Sequence, residues 1–104
     1  MSSTNATQTG ESWTFLTNHA QVLLRIANDP SVRLRDVAEA VGITERATQR
    51  ILADLVDAGY VQRTRVGRRN RYRVDRGHAM RHAAQGGHEI GALIDLLGDG
   101  PEAA

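Results

Sequence analysis

Residues 43–74 read ITERATQRILADLVDAGYVQRTRVGRRNRYRV, from Ile43 to Val74. The first half has the period of a helix. Thr48, Ile51, Leu52, Leu55 and Ala58 recur at the spacing that puts them on one face. Thr44 is a capping residue type, and Gly59 is the type that ends a helix. The spacing therefore predicts a helix over 45–58. The second half alternates instead. The runs YVQRTRV (60–66) and NRYRV (70–74) flank a GRR tip (67–69) and predict a hairpin with one packed and one solvated face. Val61, Arg63 and Arg65 share one parity; Arg69, Arg71 and Arg73 share another; Tyr72 and Val74 oppose the latter.

The charge of the chain is concentrated in that hairpin. Net charge is only +1 over 104 residues. Residues 63–76 nevertheless hold seven of the 13 basic residues and one of the 12 acids, a net of +6. The rest holds six basic and eleven acidic residues, a net of −5. One positive patch on an acidic body concentrates affinity for a polyanion at one place. All the basic residues are arginine. A GC-rich coding sequence is a plain source of that bias, yet the planar guanidinium fork suits phosphates and guanine edges in a way a lysine point charge does not.

Outward from this stretch, TNHAQVLLRIAND (17–29) predicts a helix capped by Thr17 or Asn18. Its apolar stripe is Ala20, Leu23, Leu24 and Ala27, and Asp29-Pro30 stops it. RLRDVAEAVG (33–42) predicts a shorter helix with Leu34, Val37, Ala38 and Val41 on one face, ended by Gly42. HEIGALIDLLG (88–98) predicts a last amphipathic helix bearing Ile90, Leu93, Ile94 and Leu97. Residues 75–88 are weakly patterned. Residues 1–11 and 99–104 are polar, small and aperiodic, and are expected to be disordered. The expected organisation is a tail, a domain over 12–76, a C-terminal extension over 77–98 and a second tail. The fold class is mainly α with a small β-hairpin.

Composition excludes several functions. The absence of cysteine removes disulfides, thiol redox chemistry and cysteine-ligated zinc. The longest apolar run, Val22 to Ala27, is interrupted by Arg25, and no leader pattern stands at the N-terminus. The expected location is the cytoplasm, on the nucleoid, with no membrane partner. No nucleophile–base order, phosphate loop or paired carboxylates stand out, so no enzymatic activity and no cofactor are expected. His78 and His82 are four apart and would share a face if helical. No carboxylate completes a site, so no metal is expected.

Helix, tight glycine turn, capped helix and basic hairpin compose a winged helix-turn-helix. Residues 33–72, RLRDVAEAVGITERATQRILADLVDAGYVQRTRVGRRNRY, carry a further likeness. Residues 17–74 resemble winged-helix transcriptional regulators of the MarR and ArsR type, above all their short single-domain bacterial versions. The resemblance implies double-stranded DNA as partner, a homodimer, and repression by promoter occlusion more often than activation. Some ArsR-like proteins sense metals. The chain has little room for a separate effector domain, so an effector ligand or partner protein remains open.

The physics of the residues points the same way. A capped helix enters the ~12 Å major groove with its first turns. That places Thr44, Glu45, Arg46, Gln49 and Arg50 as the reading residues. Arginine suits guanine and glutamine suits adenine. Glu45 either accepts from cytosine or orients Arg46 or Arg50. Arg63, Arg65, Arg68, Arg69, Asn70, Arg71 and Arg73 form the wing, with the tip toward a minor groove. The alternatives are a solvated charged face for the wing and an Arg50–Asp54 surface pair for the helix. On this reading Arg69→Ala weakens binding to all sequences alike. Trp13 and Phe15, with Ile90, Leu93, Ile94 and Leu97, are the expected dimer contact, since the core is thin for one chain. The aromatic pair could instead line a ligand pocket or pack a helix start. Two rival functions fit the wing: nucleic-acid binding without sequence preference, and a winged helix that binds a protein.

Overall fold

A computed structural model describes residues 13–98. The tails expected over 1–11 and 99–104 lie outside the described residues. In chain order the elements are α1 (Asn18–Asn28), α2 (Leu34–Val41), α3 (Glu45–Asp57), β1 (Val61–Val66), β2 (Arg69–Val74), a short 3-10 turn (Ala83–Gln85) and α4 (Ile90–Leu97). The architecture is a winged helix with a C-terminal helix, as the sequence predicts.

The helix boundaries follow local chemistry. Thr17 caps α1, its hydroxyl accepting from Ala20 N at 3.1 Å. Asp29 adopts an extended backbone before Pro30 and ends the helix. Gly42 takes φ +88, ψ 32 after α2, a left-handed conformation that a side chain resists. The amides of Gly42 and Ile43 both return to Ala38 O. That tight turn swings the chain directly into α3. Thr44 caps α3 by accepting from Ala47 N at 3.0 Å. Thr48, fully buried, donates its hydroxyl back to Thr44 O at 2.9 Å, so its polar atom is satisfied inside the core.

Helix α1 lies at the centre and packs against α2, α3, β2 and α4. Its buried face is wider than the stripe the periodicity suggests. Val22, Leu23, Leu24 and Ile26 are all buried, whereas Ala20 and Ala27 are half-buried. A helix covered from several sides has no single apolar stripe.

β1 and β2 pair antiparallel in the register Val61↔Val74, Gln62↔Arg73, Arg63↔Tyr72, Thr64↔Arg71, Arg65↔Asn70, Val66↔Arg69. The tip is shorter than the expected GRR: only Gly67 and Arg68 turn, because Arg69 already pairs. Gly67 has φ +62, while Arg68 keeps a negative φ. Positive φ at the first central residue alone is the signature of a type II′ turn.

The alternation expected along the whole hairpin holds only at its foot. Residues directly across an antiparallel pair share a face. Val61, Val74 and Tyr72 therefore lie on one face, and Arg63, Arg65 and Asn70 continue it. Val61 and Tyr72 are buried and Val74 is half-buried, but every residue from Gln62 to Arg69 is exposed. Six residues at about 3.3 Å each reach roughly 20 Å, beyond the cover of the helices.

Residues 75–88, weakly patterned in sequence, are held by polar contacts, and the last helix starts at Ile90, two residues later than the expected 88. Tyr60 donates its hydroxyl to Ala79 O at 2.6 Å. His78 packs on the Tyr60 ring at 4.3 Å and bonds Ala58 O through Nε2 at 2.8 Å. Because a carbonyl only accepts, Nε2 carries the proton. Ala79 bridges Glu89, and the amides of Ile90 and Gly91 return to His78 O and Arg76 O.

Candidate nucleic-acid interface

The N-terminal half of α3 presents a polar stripe opposite its core face. Thr44, Glu45, Arg46, Gln49 and Arg50 are all exposed, while Thr48, Ile51, Leu52 and Leu55 are buried. Arg46, Gln49, Arg50 and Ala53 fall at i, i+3, i+4 and i+7, so they form one row. Among the described residues Arg46, Gln49 and Arg50 make no side-chain hydrogen bond or ion pair. The pairing of Arg50 with Asp54 is not formed. Asp54 meets His19 Nε2 of α1 at 2.8 Å instead. The reading candidates are thus close together, presented on a rigid helix, and unengaged.

The wing arginines separate into two groups. Arg63, Arg65, Arg68 and Arg73 are exposed and have no side-chain partner among the described residues. Arg69 donates through Nη2 to Ser31 O, and Arg71 through Nη1 to Ser31 Oγ at 3.2 Å. Asn70 is half-buried. It lines a groove of about 300 Å³ with Arg33, Glu45, Arg68 and Arg69, which joins the start of α2 and α3 to the wing. Arg76, counted in the basic run, turns away. Its guanidinium meets Asp95 and lies 3.4 Å from Gly91 O, both on α4. Sequence reading missed Ser31 and this sorting of the arginines. The partners are distant in the chain and leave no periodic signal.

The residues expected at a dimer contact also divide. Trp13 and Phe15 are 66% and 92% exposed and meet edge to face at 5.0 Å. Ile90 and Ile94 are buried in the chain's own core, and Leu93 is half-buried. Leu97 is exposed together with Leu96, which the sequence did not single out. A second cavity, about 440 Å³, lies between α1, α3 and α4. Its lining is mainly apolar, with His19, Asp54 and Arg81 among its polar residues.

His78 and His82 do not share a helix face. His78 stacks on Tyr60, and His82 accepts from Ala84 N to start the 3-10 turn. Among the described residues no three His, Asp or Glu gather as a metal would require. No described helix is long and apolar enough to cross a membrane.

Comparisons with known proteins agree with this geometry. The model of the MarR family matches residues 14–71, more than half of the chain. Among solved structures, the fold is similar to that of the PcaV transcriptional regulator of Streptomyces coelicolor in complex with its natural ligand. The TM-score is 0.52 and the identity 22%, over 85% of this chain and 67% of that one. No curated protein matches the sequence.

Proposed function

The chain belongs to the MarR family of winged-helix transcriptional regulators, and from that premise we propose that it is a dimeric repressor that reads a specific duplex DNA sequence. The observation that carries this reading is the exposed, unengaged row Arg46–Gln49–Arg50 beside a wing of free arginines. Thr44 and Glu45 stand at the entry of the same helix. The row offers bidentate donors for guanine and a donor–acceptor pair for adenine. The wing supplies sequence-independent affinity through phosphates, with Gly67 and Arg68 at the minor groove.

In this reading residues 12–76 bind DNA and residues 77–98 support dimerisation. Trp13, Phe15 and Leu97 meet a second copy, with Leu93 at the edge of that contact. Ile90 and Ile94 act from beneath, by holding α4 in place. A two-fold dimer reads an inverted repeat with half-sites about one helical turn apart. Occupation of a promoter excludes polymerase. The PcaV structure holds that protein's natural ligand; in this chain we take the 440 Å³ cavity between α1, α3 and α4 as the seat for a small effector.

The test is selection of duplexes from a random library at about 0.15 M salt, followed by binding of Arg50→Ala. A palindromic sequence is expected to be enriched. Arg50→Ala should then cost about 1–3 kcal/mol on that sequence and relax the preference at one base pair. If four to six phosphates are neutralised per protomer, log affinity should fall with log salt at a slope of about −4 to −5. Tight binding without an enriched sequence would replace this reading by an architectural one. No binding would point to a protein partner.

A further inference from the structure

The short loop between α1 and α2 touches the wing through three separate bonds. Tyr72 N, on the edge of β2 away from β1, donates to Pro30 O at 2.9 Å. Arg69 donates to Ser31 O and Arg71 to Ser31 Oγ. The loop is itself braced, because Ser31 N donates to an Asp29 carboxylate oxygen at 3.1 Å and Val32 N to Asp29 O at 3.0 Å. Two residues later α2 begins, and α2 packs on the reading helix. Ser31 is therefore a junction between the wing and the helical body.

The consequence concerns which arginines bind DNA. Arg69, Arg71 and Arg73 lie on one face of β2, yet only Arg73 of the three is unengaged. A guanidinium fixed to the protein's own backbone, as Arg69 is, or to its own side-chain hydroxyl, as Arg71 is, has fewer donors for a phosphate and a direction set by that bond. We propose that Ser31 is a positioning residue for DNA binding: it holds Arg69 and Arg71 as internal struts that set the angle of the wing, and leaves Arg63, Arg65, Arg68 and Arg73 to neutralise phosphates. This rests on the reading of the wing as a DNA-binding element. It replaces the sequence expectation that Arg69 is itself a phosphate contact.

A strut and a phosphate contact differ in salt dependence. Removing a phosphate contact lowers both affinity and the salt slope, by about 0.9 per phosphate. Removing a strut lowers affinity through the geometry of the remaining contacts and releases no fewer counterions. The experiment titrates the full chain into a fluorescein-labelled mixed-sequence duplex of about three helical turns at several salt concentrations. The variants are Ser31→Ala, Ser31→Thr, Arg71→Ala, the Ser31→Ala/Arg71→Ala double and Arg68→Ala. Thermal unfolding of each verifies that it folds.

Ser31→Ala and Arg71→Ala are each expected to weaken binding roughly three- to tenfold, as loss of one exposed hydrogen bond allows. The double variant should be no weaker than the worse single, since both remove one bond. Ser31→Thr, which keeps the hydroxyl, should restore affinity. The slope should stay at the wild-type value in all of these and fall by about 0.9 in Arg68→Ala. A fall in slope for Arg71→Ala equal to that of Arg68→Ala would overturn the assignment, as would independent, multiplying losses for Ser31→Ala and Arg71→Ala. An unchanged slope in Arg68→Ala is a different failure. It would remove the wing from the DNA interface, and the strut assignment with it.

Discussion

Helix α3 and the β1–β2 hairpin both present unengaged arginines, but what stands behind those arginines differs. Beneath Arg46 and Arg50 lie Thr48 and Leu52, each fully buried, and a cap at Thr44 that fixes the first turn. Beneath Arg65 and Arg68 there is no buried side chain. The hairpin is anchored at its foot by Val61 and Tyr72 and at one edge by the 30–31 loop. A base edge is read only by donors held to a fraction of an ångström, whereas a phosphate is found by charge over a longer reach. If α3 reads bases and the wing meets phosphates, as proposed, rigid support belongs under the helix and a projecting ribbon suffices for the backbone. On the proposed reading, the two regions divide specificity from affinity in a way their shared arginine content conceals.

The largest test of this contrast is Leu52→Ala. Leu52 is wholly buried behind the reading row, so its truncation should cost about 2–5 kcal/mol, the range for large-to-small core changes. Chemical denaturation measures it. A loss under about 1 kcal/mol would mean that α3 is not rigidly backed, and the contrast with the wing would vanish.

A finer comparison uses two glycines that both hold a positive φ, Gly42 in the left-handed helical region and Gly67 at the first central position of a type II′ turn. Gly42 and Gly67 have φ +88 and +62, and neither has an atom within 4 Å of where a Cβ would sit. Alanine therefore brings conformational strain without a clash, about 1–2 kcal/mol at Gly42 and at least as much, up to about 3 kcal/mol, at Gly67. At Gly42 the strain falls on the turn between two core helices, so the global unfolding free energy should drop by that amount. At Gly67 it falls on an exposed tip. Amide exchange should quicken at the Val66–Arg69 end of the hairpin, with global stability nearly unchanged. Equal global losses at both sites would show that the wing is as tightly coupled to the core as the helix-turn-helix.

The same division explains what the sequence disclosed. The turn at Gly42, the cap at Thr44 and the face Thr48–Ile51–Leu52–Leu55 were legible because each depends on neighbours within one or two turns. The hairpin was legible from alternation, with an error of one residue at the tip. The inward positions Val22 and Ile26 were hidden, because α1 is enclosed by several elements and periodicity presumes one buried side. Residues 75–88 were hidden too: Tyr60, His78 and a few backbone bonds order them without any apolar period. The row Arg46, Gln49, Arg50 was legible as a row. The fates of Arg69, Arg71 and Arg76 were not. Arginines alike in sequence differ only in whether Ser31 or Asp95, far along the chain, comes within reach.

Arg76 gives the smallest and most discriminating effect. It closes the basic run in sequence, so a reading by charge alone makes it one more phosphate contact. In the structure it ties the base of the wing to α4 through Asp95, with both side chains at least half exposed. An exposed pair of this kind contributes no more than about 1 kcal/mol, so Arg76→Ala and Asp95→Asn should each lower stability by less than that. Their effects on DNA should part from those of Arg68→Ala. Arg76→Ala should leave the salt slope of binding unchanged, because the charge it removes is engaged by Asp95 rather than turned outward with the wing. Asp95→Asn, which releases Arg76 from its partner, should raise affinity slightly at low salt, and the gain should fade within the ~10 Å screening length of 0.1 M salt. A slope reduced by a full unit in Arg76→Ala would return Arg76 to the wing and extend the phosphate-binding surface down to the foot of the hairpin.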